Sequence, residues 1–371
     1  MDKIKILYII ATLDIGGTEK QLFELAKGLD RKKYEPVVCC LTRSGPVEKD
    51  LRDRGIRVIE AGKKGKLDFG FLFKLAGIIR REKPGIVHTF LWTSNTWGRI
   101  AAMFAGVPVI ISSERSTDYW KGWFEFLIDW KLSLFTKKII VNSLIVKKFI
   151  GSRGISEKKI EVVPNGIDTS LYGSLPGPSQ AKKMLGLDPL APAVGFAGRL
   201  CREKDPFVFV RLAAAVLKEK SAQFVIAGDG EMRGGVEALA GSLGVKKNLR
   251  ILGYRNDMPL VLSAMDVVVL TSLWEGLPNV LIEAGAAAKP AVTLNVGGAG
   301  EVVEDGRTGF VVPVSDEKGL AEKVLVLLKG PALCAEMGAA ARQRVEENFK
   351  LSKMISMTEA IYSAELQKTA R

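Results

Sequence analysis

Short apolar runs alternate with stretches of helical periodicity along the first half of the chain. The apolar runs predict strands at residues 4–10, 36–41, 57–59, 85–89, 109–112 and 139–141. Between them, apolar positions at helical spacing predict helices at residues 18–29, 46–54 and 71–82. Strands that are apolar throughout and separated by helices are typical of a parallel sheet covered on both faces. The first half is therefore predicted to be a doubly wound α/β domain.

A change of composition divides the chain. Residues 164–192 are rich in Pro, Gly and Ser, which predicts a linker near residues 170–190. The alternation then resumes, with strands predicted at residues 193–197, 223–227, 250–252, 267–270, 291–294 and 309–312. We expect domains at residues 1–175 and 190–350, and a helix within residues 351–371 that packs back towards the first domain. Two such domains facing each other would place the carboxyl ends of their strands around one cleft, where ligands of α/β sheets bind.

The histidine and cysteine content limits the chemistry. His88 is the only histidine, which argues against a zinc enzyme with histidine ligands, and no G-x-S-x-G motif supports a Ser-His-Asp enzyme. The four cysteines form no C-x-x-C pair, which favours reduced thiols in a cytoplasmic protein. The apolar run at the start breaks at Asp14, too early for a membrane span, and lacks a signal-peptide cleavage pattern.

Positive charge is concentrated in the first half. Residues 1–170 carry 30 Lys and Arg against 19 Asp and Glu, a net +11 out of +13 for the chain. This imbalance favours an anionic partner such as a membrane surface, an acidic acceptor or nucleic acid. The alternative is a solvated, lysine-rich surface with no partner, which would have the same charge. No nucleic-acid recognition module accompanies the charge, so nucleic acid is not expected as a partner.

Three segments carry candidate chemistry. Gly16 and Gly17 follow the first strand and open a helix, where a backbone can approach an anionic ligand closely, although a plain strand-to-helix turn explains them as well. Arg199 and Lys204 follow the first strand of the second domain and can offer two positive charges to a diphosphate; the alternative is ion pairing with Glu203 and Asp205.

The third segment, residues 272–284, is the densest. Pro278 suits the first turn of a helix, so that the following residues would offer backbone N–H groups to phosphate oxygens. Glu275 precedes this helix and Glu283 lies on it, from where a carboxylate can accept hydrogen bonds from a ribose diol. The residues expected to bind phosphate through their backbone are Asn279, Val280 and Leu281.

Glu275 and Glu283 form an E-x7-E pattern that resembles glycosyltransferase family 4, the retaining GT-B glycosyltransferases. The blocks G-R-L (198–200), A-G-D-G-E (227–231), P-N-G-I-D (164–168) and D-G-R-T-G-F-V-V-P (305–313) are similar to the same family, as is the first loop with its helix. The resemblance covers most of the chain. It implies two Rossmann-like domains and sugar transfer from a nucleotide-sugar donor of the UDP or GDP type, without a metal or other cofactor.

The resemblance also implies roles for single residues. Arg199 and Lys204 would hold the donor diphosphate in place of a metal ion, and Glu275 would contact the donor sugar. Glu283 would bind the ribose hydroxyls. Tyr254 and Arg255 would read the base through nearby backbone groups, and Gly16 and Gly17 would let the first loop approach the diphosphate or the acceptor.

One position departs from the family pattern. Where many members have a histidine, this chain has Arg115 or Ser116, and His88 follows an earlier strand. Arg115 and His88 are expected on the acceptor side, although a core or loop position explains His88 equally well. The departure keeps open a non-catalytic nucleotide-sugar-binding protein as the alternative.

Residues 119–150 interleave aromatic side chains with lysines, as an interfacial helix does. A helix packed on its own sheet is the alternative. With the basic first half, this segment predicts peripheral binding to the inner face of an anionic membrane and a saccharide or lipid-linked acceptor, in surface polysaccharide or glycolipid synthesis. The residues concerned are Tyr119, Trp120, Trp123, Phe124, Phe126 and Trp130, with Lys121, Lys131, Lys137 and Lys138.

Overall fold

The computed structural model describes residues 3–65, 68–117 and 120–369. Two units divide the chain: unit 1 is Met1–Gly166 with Leu351–Arg371, and unit 2 is Ile167–Lys350. The division falls earlier than the boundary expected between residues 175 and 190, because the Pro- and Gly-rich segment contains side chains that are buried in the core of unit 2. These are Tyr172, Ala181, Leu185 and Leu187.

Unit 1 contains a seven-stranded sheet, and every strand pair in it is parallel. The strand order is β3-β2-β1-β4-β5-β6-β7. The strands are β1 (Ile4–Thr12), β2 (Tyr34–Arg43), β3 (Arg57–Glu60), β4 (Ile86–Phe90), β5 (Val109–Glu114), β6 (Lys138–Val141) and β7 (Ile160–Val162). The helices are α1 (Gly17–Gly28), α2 (Pro46–Asp53), α3 (Phe69–Glu82), α4 (Trp92–Phe104), α5 (Trp123–Ser133) and α6 (Leu144–Gly151).

Unit 2 repeats the architecture with six parallel strands in the order β10-β9-β8-β11-β12-β13. Its strands are β8 (Ala193–Ala197), β9 (Gln223–Ala227), β10 (Leu249–Gly253), β11 (Val267–Leu270), β12 (Ala291–Leu294) and β13 (Gly309–Val312). Its helices are α7 (Pro178–Met184), α8 (Pro206–Leu217), α9 (Arg233–Ser242), α10 (Met258–Ser263), α11 (Asn279–Ala286), α12 (Ala299–Val302), α13 (Glu317–Lys329) and α14 (Pro331–Asn348). The predicted two-domain, doubly wound α/β fold is confirmed.

The last helix, α15 (Leu351–Thr369), belongs to unit 1, although unit 2 separates it from the rest of that unit in the chain. It packs beside α1, and its Met354 and Tyr362 are buried in the core on that face of the sheet. A second core on the opposite face is formed with α3 and α4. Among the described residues, no single helix has the length and apolarity to cross a membrane; α13 and α14, bent by 104°, pass that test only as a pair.

The strand orders locate where each unit can bind a ligand. The order reverses between β1 and β4 in unit 1 and between β8 and β11 in unit 2. In open parallel sheets the loops on either side of such a reversal separate and leave a crevice at the carboxyl ends of the strands. Ligand-binding residues are therefore expected in the loops after β1, β4, β8 and β11.

Candidate active site

Two loops far apart in sequence meet at the switch point of unit 2. The loop after β8 contains Arg199 and Lys204, and the loop after β11 contains Glu275. The Thr271 hydroxyl donates a hydrogen bond to the Lys204 carbonyl at 2.8 Å, and the Leu273 N–H donates to the Glu203 carbonyl at 2.8 Å. Side-chain and backbone bonds together fix the two loops against each other.

Lys204 and Glu275 form the centre of this contact. Lys204 Nζ lies 2.6 Å from Glu275 Oε1 and 2.9 Å from Glu203 Oε1, and the Ser272 hydroxyl donates to the same Glu275 oxygen at 2.7 Å. Burial lowers the pKa of Lys204, but the carboxylates of Glu275 and Glu203 outweigh it and leave that pKa above its ordinary value. Lys204 is therefore a fixed positive charge at neutral pH.

Arg199 supplies a second and looser positive charge. Its side chain is 65% exposed, and one guanidinium nitrogen lies 3.5 Å from Glu203 Oε2. The ion pair with Glu203, which the sequence left open as an alternative, is present. An exposed pair of this kind is weak, so an anionic ligand can compete for the guanidinium.

Helix α11 follows Glu275 and carries Glu283, and both carboxylates are buried. Pro278 is the N-cap of the helix rather than its first residue. The Leu281 N–H donates to the Pro278 carbonyl at 3.2 Å, which corrects the expectation that Leu281 offers its N–H to a phosphate. Asn279 and Val280 are the first two helical residues, at the end of the helix that favours anions.

The loop after β12 supports the Glu275 backbone. Gly297 has φ +50°, and a Cβ there would lie 2.1 Å from the Glu275 carbonyl oxygen. The Gly298 N–H donates to the Gly276 carbonyl at 2.7 Å. Only glycine fits at position 297, because both the backbone conformation and the space exclude a side chain.

Sequence reasoning missed the residues that position the site. Thr271 and Ser272 were given no role, although two polar residues directly after the apolar strand β11 are a signal for a strand-end site. Tyr172 was also missed: burial, and then the Glu283 carboxylate, raise its pKa. Since Tyr172 lies in the segment predicted as linker, nothing in the sequence placed it near Glu283.

Tyr254 and Arg255 follow β10, which is two strands from β8 in the sheet order. Tyr254 is 59% exposed. Arg255 Nε donates to Asp257 Oδ1 at 2.8 Å, and this bond to Arg255 holds the pKa of Asp257 below its ordinary value. The guanidinium is thus engaged locally, while the tyrosine ring is presented to solvent.

In unit 1, Arg115 of the loop after β5 lies near Glu19 of α1 and bonds to Asn165. Gly16 is the N-cap of α1 and Gly17 its first residue. Arg115 is half-buried and donates to the Asn165 side chain. Burial lowers the pKa of Arg115 to about 10, although the Glu19 carboxylate opposes the shift, so Arg115 is charged at neutral pH.

The P-N-G-I-D block has a structural explanation in the same region. The Gln21 side chain donates to the Gly166 carbonyl at 3.0 Å and accepts from the Gly166 N–H at 2.9 Å. A Cβ at Gly166 would lie 2.8 Å from the Leu351 Cα. Gly166 of this block therefore joins α1 to the start of α15 within unit 1.

His88 lies on β4 and is buried, with both ring nitrogens hydrogen-bonded. Nδ1 is 2.6 Å from the Tyr362 hydroxyl and Nε2 is 2.8 Å from the Ser113 hydroxyl. The Tyr362 hydroxyl in turn donates to the Tyr8 hydroxyl at 3.3 Å. Burial, with a smaller contribution from Arg115, lowers the pKa of His88 to about 3, so the ring is neutral. The structure places His88 in the core, the second of the two positions that the sequence left open.

Within the described ranges, no three His, Cys, Asp or Glu side chains gather into a group that could hold a metal ion. The polar centre of unit 2 contains instead Lys204 and Arg199 beside two carboxylates. Its charge is arranged around the end of a parallel sheet, in the position where an α/β unit binds a phosphorylated ligand.

Comparison with known proteins agrees with this architecture. Residues 15–171 match the family model described as Glycosyltransferase Family 4, and residues 180–344 match that of Glycosyl transferases group 1. An alpha-maltose-1-phosphate synthase from Mycolicibacterium smegmatis is 30% identical over 76% of this chain and 79% of its own length. A UDP-Gal:alpha-D-GlcNAc-diphosphoundecaprenol alpha-1,3-galactosyltransferase from Escherichia coli is 26% identical over 97% of both chains.

Among solved structures, Anabaena HepE in complex with UDP superposes with a TM-score of 0.87 at 21% identity, covering 97% of this chain and 100% of HepE. The two doubly wound units have the GT-B fold, and the family models and curated relatives identify the class as glycosyltransferases. The chain belongs to glycosyltransferase family 4, the glycosyl transferases group 1.

Proposed function

We propose that this glycosyltransferase moves a sugar from a nucleoside-diphosphate sugar, of the UDP or GDP type, to a hydroxyl group of a saccharide or lipid-linked acceptor. The transfer would retain the anomeric configuration and use no bound metal. The observation that carries the proposal is the Lys204–Glu275 pair, with its Nζ–Oε1 distance of 2.6 Å at the switch point of unit 2.

The pair suits a donor diphosphate for an electrostatic reason. As the nucleotide leaves, negative charge grows on the phosphate oxygen that was bonded to the sugar. Lys204 is already charged and held in place, and Arg199 lies in the same loop, so both can stabilise that charge without rearranging water. Asn279 and Val280 would add backbone N–H groups from the start of α11.

We propose roles for the other candidate residues as well. Glu283, on α11, would accept hydrogen bonds from the ribose hydroxyls, and Glu275 would contact the sugar. Tyr254 and Arg255 would lie beside the base. On the acceptor side, Gly16, Gly17 and Arg115 would line the carboxyl edge of the unit 1 sheet. His88 has no part in this proposal, since both of its ring nitrogens are engaged in the core.

In a retaining transfer the acceptor hydroxyl attacks the face that the phosphate leaves. That phosphate oxygen would take the hydroxyl proton as the new bond forms. The protein's contribution is then positioning and fixed charge rather than a base of its own. The non-catalytic alternative is not favoured, because the relatives found over nearly the whole chain are themselves named as transferases.

The acceptor class follows from similarity. The Escherichia coli relative is named for a diphosphoundecaprenol-linked acceptor. A Staphylococcus aureus relative is named for capsular polysaccharide biosynthesis. It is 27% identical over 81% of this chain and 82% of its own length. These names support surface polysaccharide or glycolipid synthesis. We propose in addition that the reaction takes place in the cytoplasm, with the protein peripheral on the inner face of the membrane.

Calorimetric titration with UDP and GDP in the presence of EDTA tests donor binding. We expect one nucleotide to bind without metal, and Arg199→Ala and Lys204→Ala to weaken it, while Lys318→Ala, an exposed lysine on α13, binds as wild type. Proton NMR of the product then reads the anomeric configuration. Binding only after magnesium is added, or an inverted product, would contradict the proposal.

A further inference from the structure

Helix α5 exposes most of its large apolar side chains and buries a carboxylate. Its exposed positions Trp123, Phe124, Leu127 and Trp130 are apolar, whereas Asp129 faces the interior and is 5% exposed. A helix on the surface of a soluble protein buries its apolar stripe and presents charges to water. Helix α5 does pack against unit 1, beside α4, as the alternative in the sequence analysis expects, but it leaves most of its aromatic side chains exposed.

A buried group of four charges holds α5 in this orientation. Asp129 lies 2.6 Å from Arg99 of α4 and 3.0 Å from Lys121, and Lys121 lies 3.4 Å from Glu114 of β5. Asn95 donates to Glu114 at 2.8 Å and so joins the group to the first turn of α4. Lys121 is therefore a buried ion-pair partner and not the surface cation expected from the sequence.

The exposed apolar side chains form one surface, which we call the α5 surface. Trp123 is 78% exposed and Phe124 55% exposed, and the helical spacing from Trp123 through Leu127 and Trp130 to Leu134 puts these side chains on one side. The surface consists of Trp123, Phe124, Leu127, Trp130, Leu134 and Phe135. Large apolar side chains exposed together on one side of a helix mark a site of association.

Exposed lysines accompany the α5 surface along the chain. Lys131, Lys137 and Lys148 are exposed on α5, after it and on α6. Glu125, the acidic residue of the first turn, accepts a hydrogen bond from the Gly122 N–H at 2.8 Å and serves as a cap. Lys138 is paired with Glu161 and does not add to the surface charge. Tyr119 lies outside the described residues.

We propose that the α5 surface docks on an anionic lipid bilayer, with the aromatic side chains in the interface and Lys131, Lys137 and Lys148 against lipid phosphates. Aromatic side chains bordered by lysines have the composition of a helix that lies in a membrane interface. A second copy of this chain is a poorer occupant, because a symmetric contact would bring two sets of these lysines together.

The buried ion pairs give this docking a fixed geometry. Because Asp129 is bonded to α4 and to Lys121, α5 stays folded against unit 1 whether or not lipid is present, so binding does not require ordering of a segment. The proposal rests on the proposed function only for the membrane location. Lipid binding by α5 and nucleotide binding by unit 2 can each fail alone.

Co-sedimentation with vesicles of phosphatidylcholine, with and without phosphatidylglycerol, tests the proposal on the full chain. We expect binding to the anionic vesicles that weakens as salt is added. Trp123→Ser with Phe124→Ser should reduce partitioning about a hundredfold. The matched control is Phe73→Ser with Phe104→Ser, two phenylalanines of α3 and α4 that are also well exposed in unit 1.

A second pair of variants tests the charge. Lys131→Ala with Lys148→Ala should lower binding to anionic vesicles roughly 20- to 30-fold, at about 1 kcal/mol for each lysine near the membrane. Lys246→Ala with Lys247→Ala, exposed lysines of unit 2, should leave it unchanged. Calorimetry with the nucleotide on the same variants shows that unit 2 is intact, so a loss of lipid binding is separated from a failure of the proposed function.

Three results would overturn the proposal. The first is no sedimentation with anionic vesicles at low salt. The second is equal partitioning of the Trp123→Ser, Phe124→Ser protein and its phenylalanine control. The third is a wild-type dimer, seen by light scattering, that these two substitutions convert to a monomer, which would assign the α5 surface to a second copy of the chain.

Discussion

His88 is buried and neutral, which makes the stability of the protein depend on pH in a predictable way. Because the chain has one histidine, its protonation can be measured without interference from other histidine rings. The ring has a pKa of about 3 in the folded protein and an ordinary value of 6.5 when exposed. Between these values the unfolded chain takes up a proton that the folded chain does not. The stability contributed by neutral His88 is therefore complete above about pH 6.5 and is lost as the pH falls towards 3.

The size of the effect follows from the two pKa values. At pH 5 an exposed histidine is almost fully protonated while His88 remains neutral, which favours unfolding by about 2 kcal/mol relative to pH 8. In His88→Gln, which keeps hydrogen-bonding groups for Tyr362 and Ser113, this part of the pH dependence should disappear. The substitution itself should cost about 1–3 kcal/mol at pH 8, because a buried polar pair is altered.

Nuclear magnetic resonance of protein labelled at histidine reads the ring directly. Since His88 is the only histidine, one set of ring signals is expected, with chemical shifts constant from pH 8 to pH 5. Urea unfolding of wild type and His88→Gln at both pH values then measures the stability difference. A ring titration near pH 6.5, or an equal loss of stability in both proteins, would refute the burial argument.

Other positions make equally direct predictions. Lys204→Ala should lower kcat by a factor of about 10²–10³ by removing one preorganised charge, measured by nucleotide release; near-normal turnover would exclude the role given to Lys204. Gly297→Ala should destabilise unit 2 by about 1–3 kcal/mol or more in denaturant titrations. The control is Gly306→Ala, which should cost much less, because Gly306 also has positive φ but faces open space. Asp129→Ala should cost unit 1 about 3–5 kcal/mol, because Arg99 and Lys121 lose a buried partner; a change under 1 kcal/mol in the same titration would show that the ion pairs do not hold α5.

The strands were predictable because both faces of each parallel sheet are buried. Strands such as β8 and β11 are apolar throughout, and the predicted bounds agree with the observed ones. The strand missed by the sequence analysis is β7, a three-residue edge strand whose middle residue is Glu161. A short edge strand has too few buried positions to produce a pattern.

The residues of the candidate site could be predicted from the sequence, but the contacts between them could not. The sequence placed Lys204 and Glu275 at the ends of two strands, and sheet topology alone brings such ends together. The hydrogen bond from Thr271 to the loop of Lys204 and the steric role of Gly297 depend on distances between loops, which no local pattern encodes. The family resemblance supplied the roles, and the structure supplied the contacts.

Helix α5 shows a second limit of prediction from the sequence, which concerns the orientation of a helix. Its periodicity identifies a helix, but the same spacing fits a helix with its apolar side inward or outward. What decides the orientation is Asp129 pairing with Arg99, 30 residues earlier, and with Lys121. Charges that are distant in sequence and pair in the interior cannot be distinguished from solvated ones by composition alone.

The discontinuous course of unit 1 has a consequence for biosynthesis. The Tyr8 and Tyr362 hydroxyls, which meet in its core, are separated by 354 positions in the chain. On the ribosome, α15 is translated after all of unit 2. The face of the sheet that α15 shares with α1 can therefore be fully covered only then. Unit 2, which is continuous, can complete its core first, so the unit that is begun first is finished last.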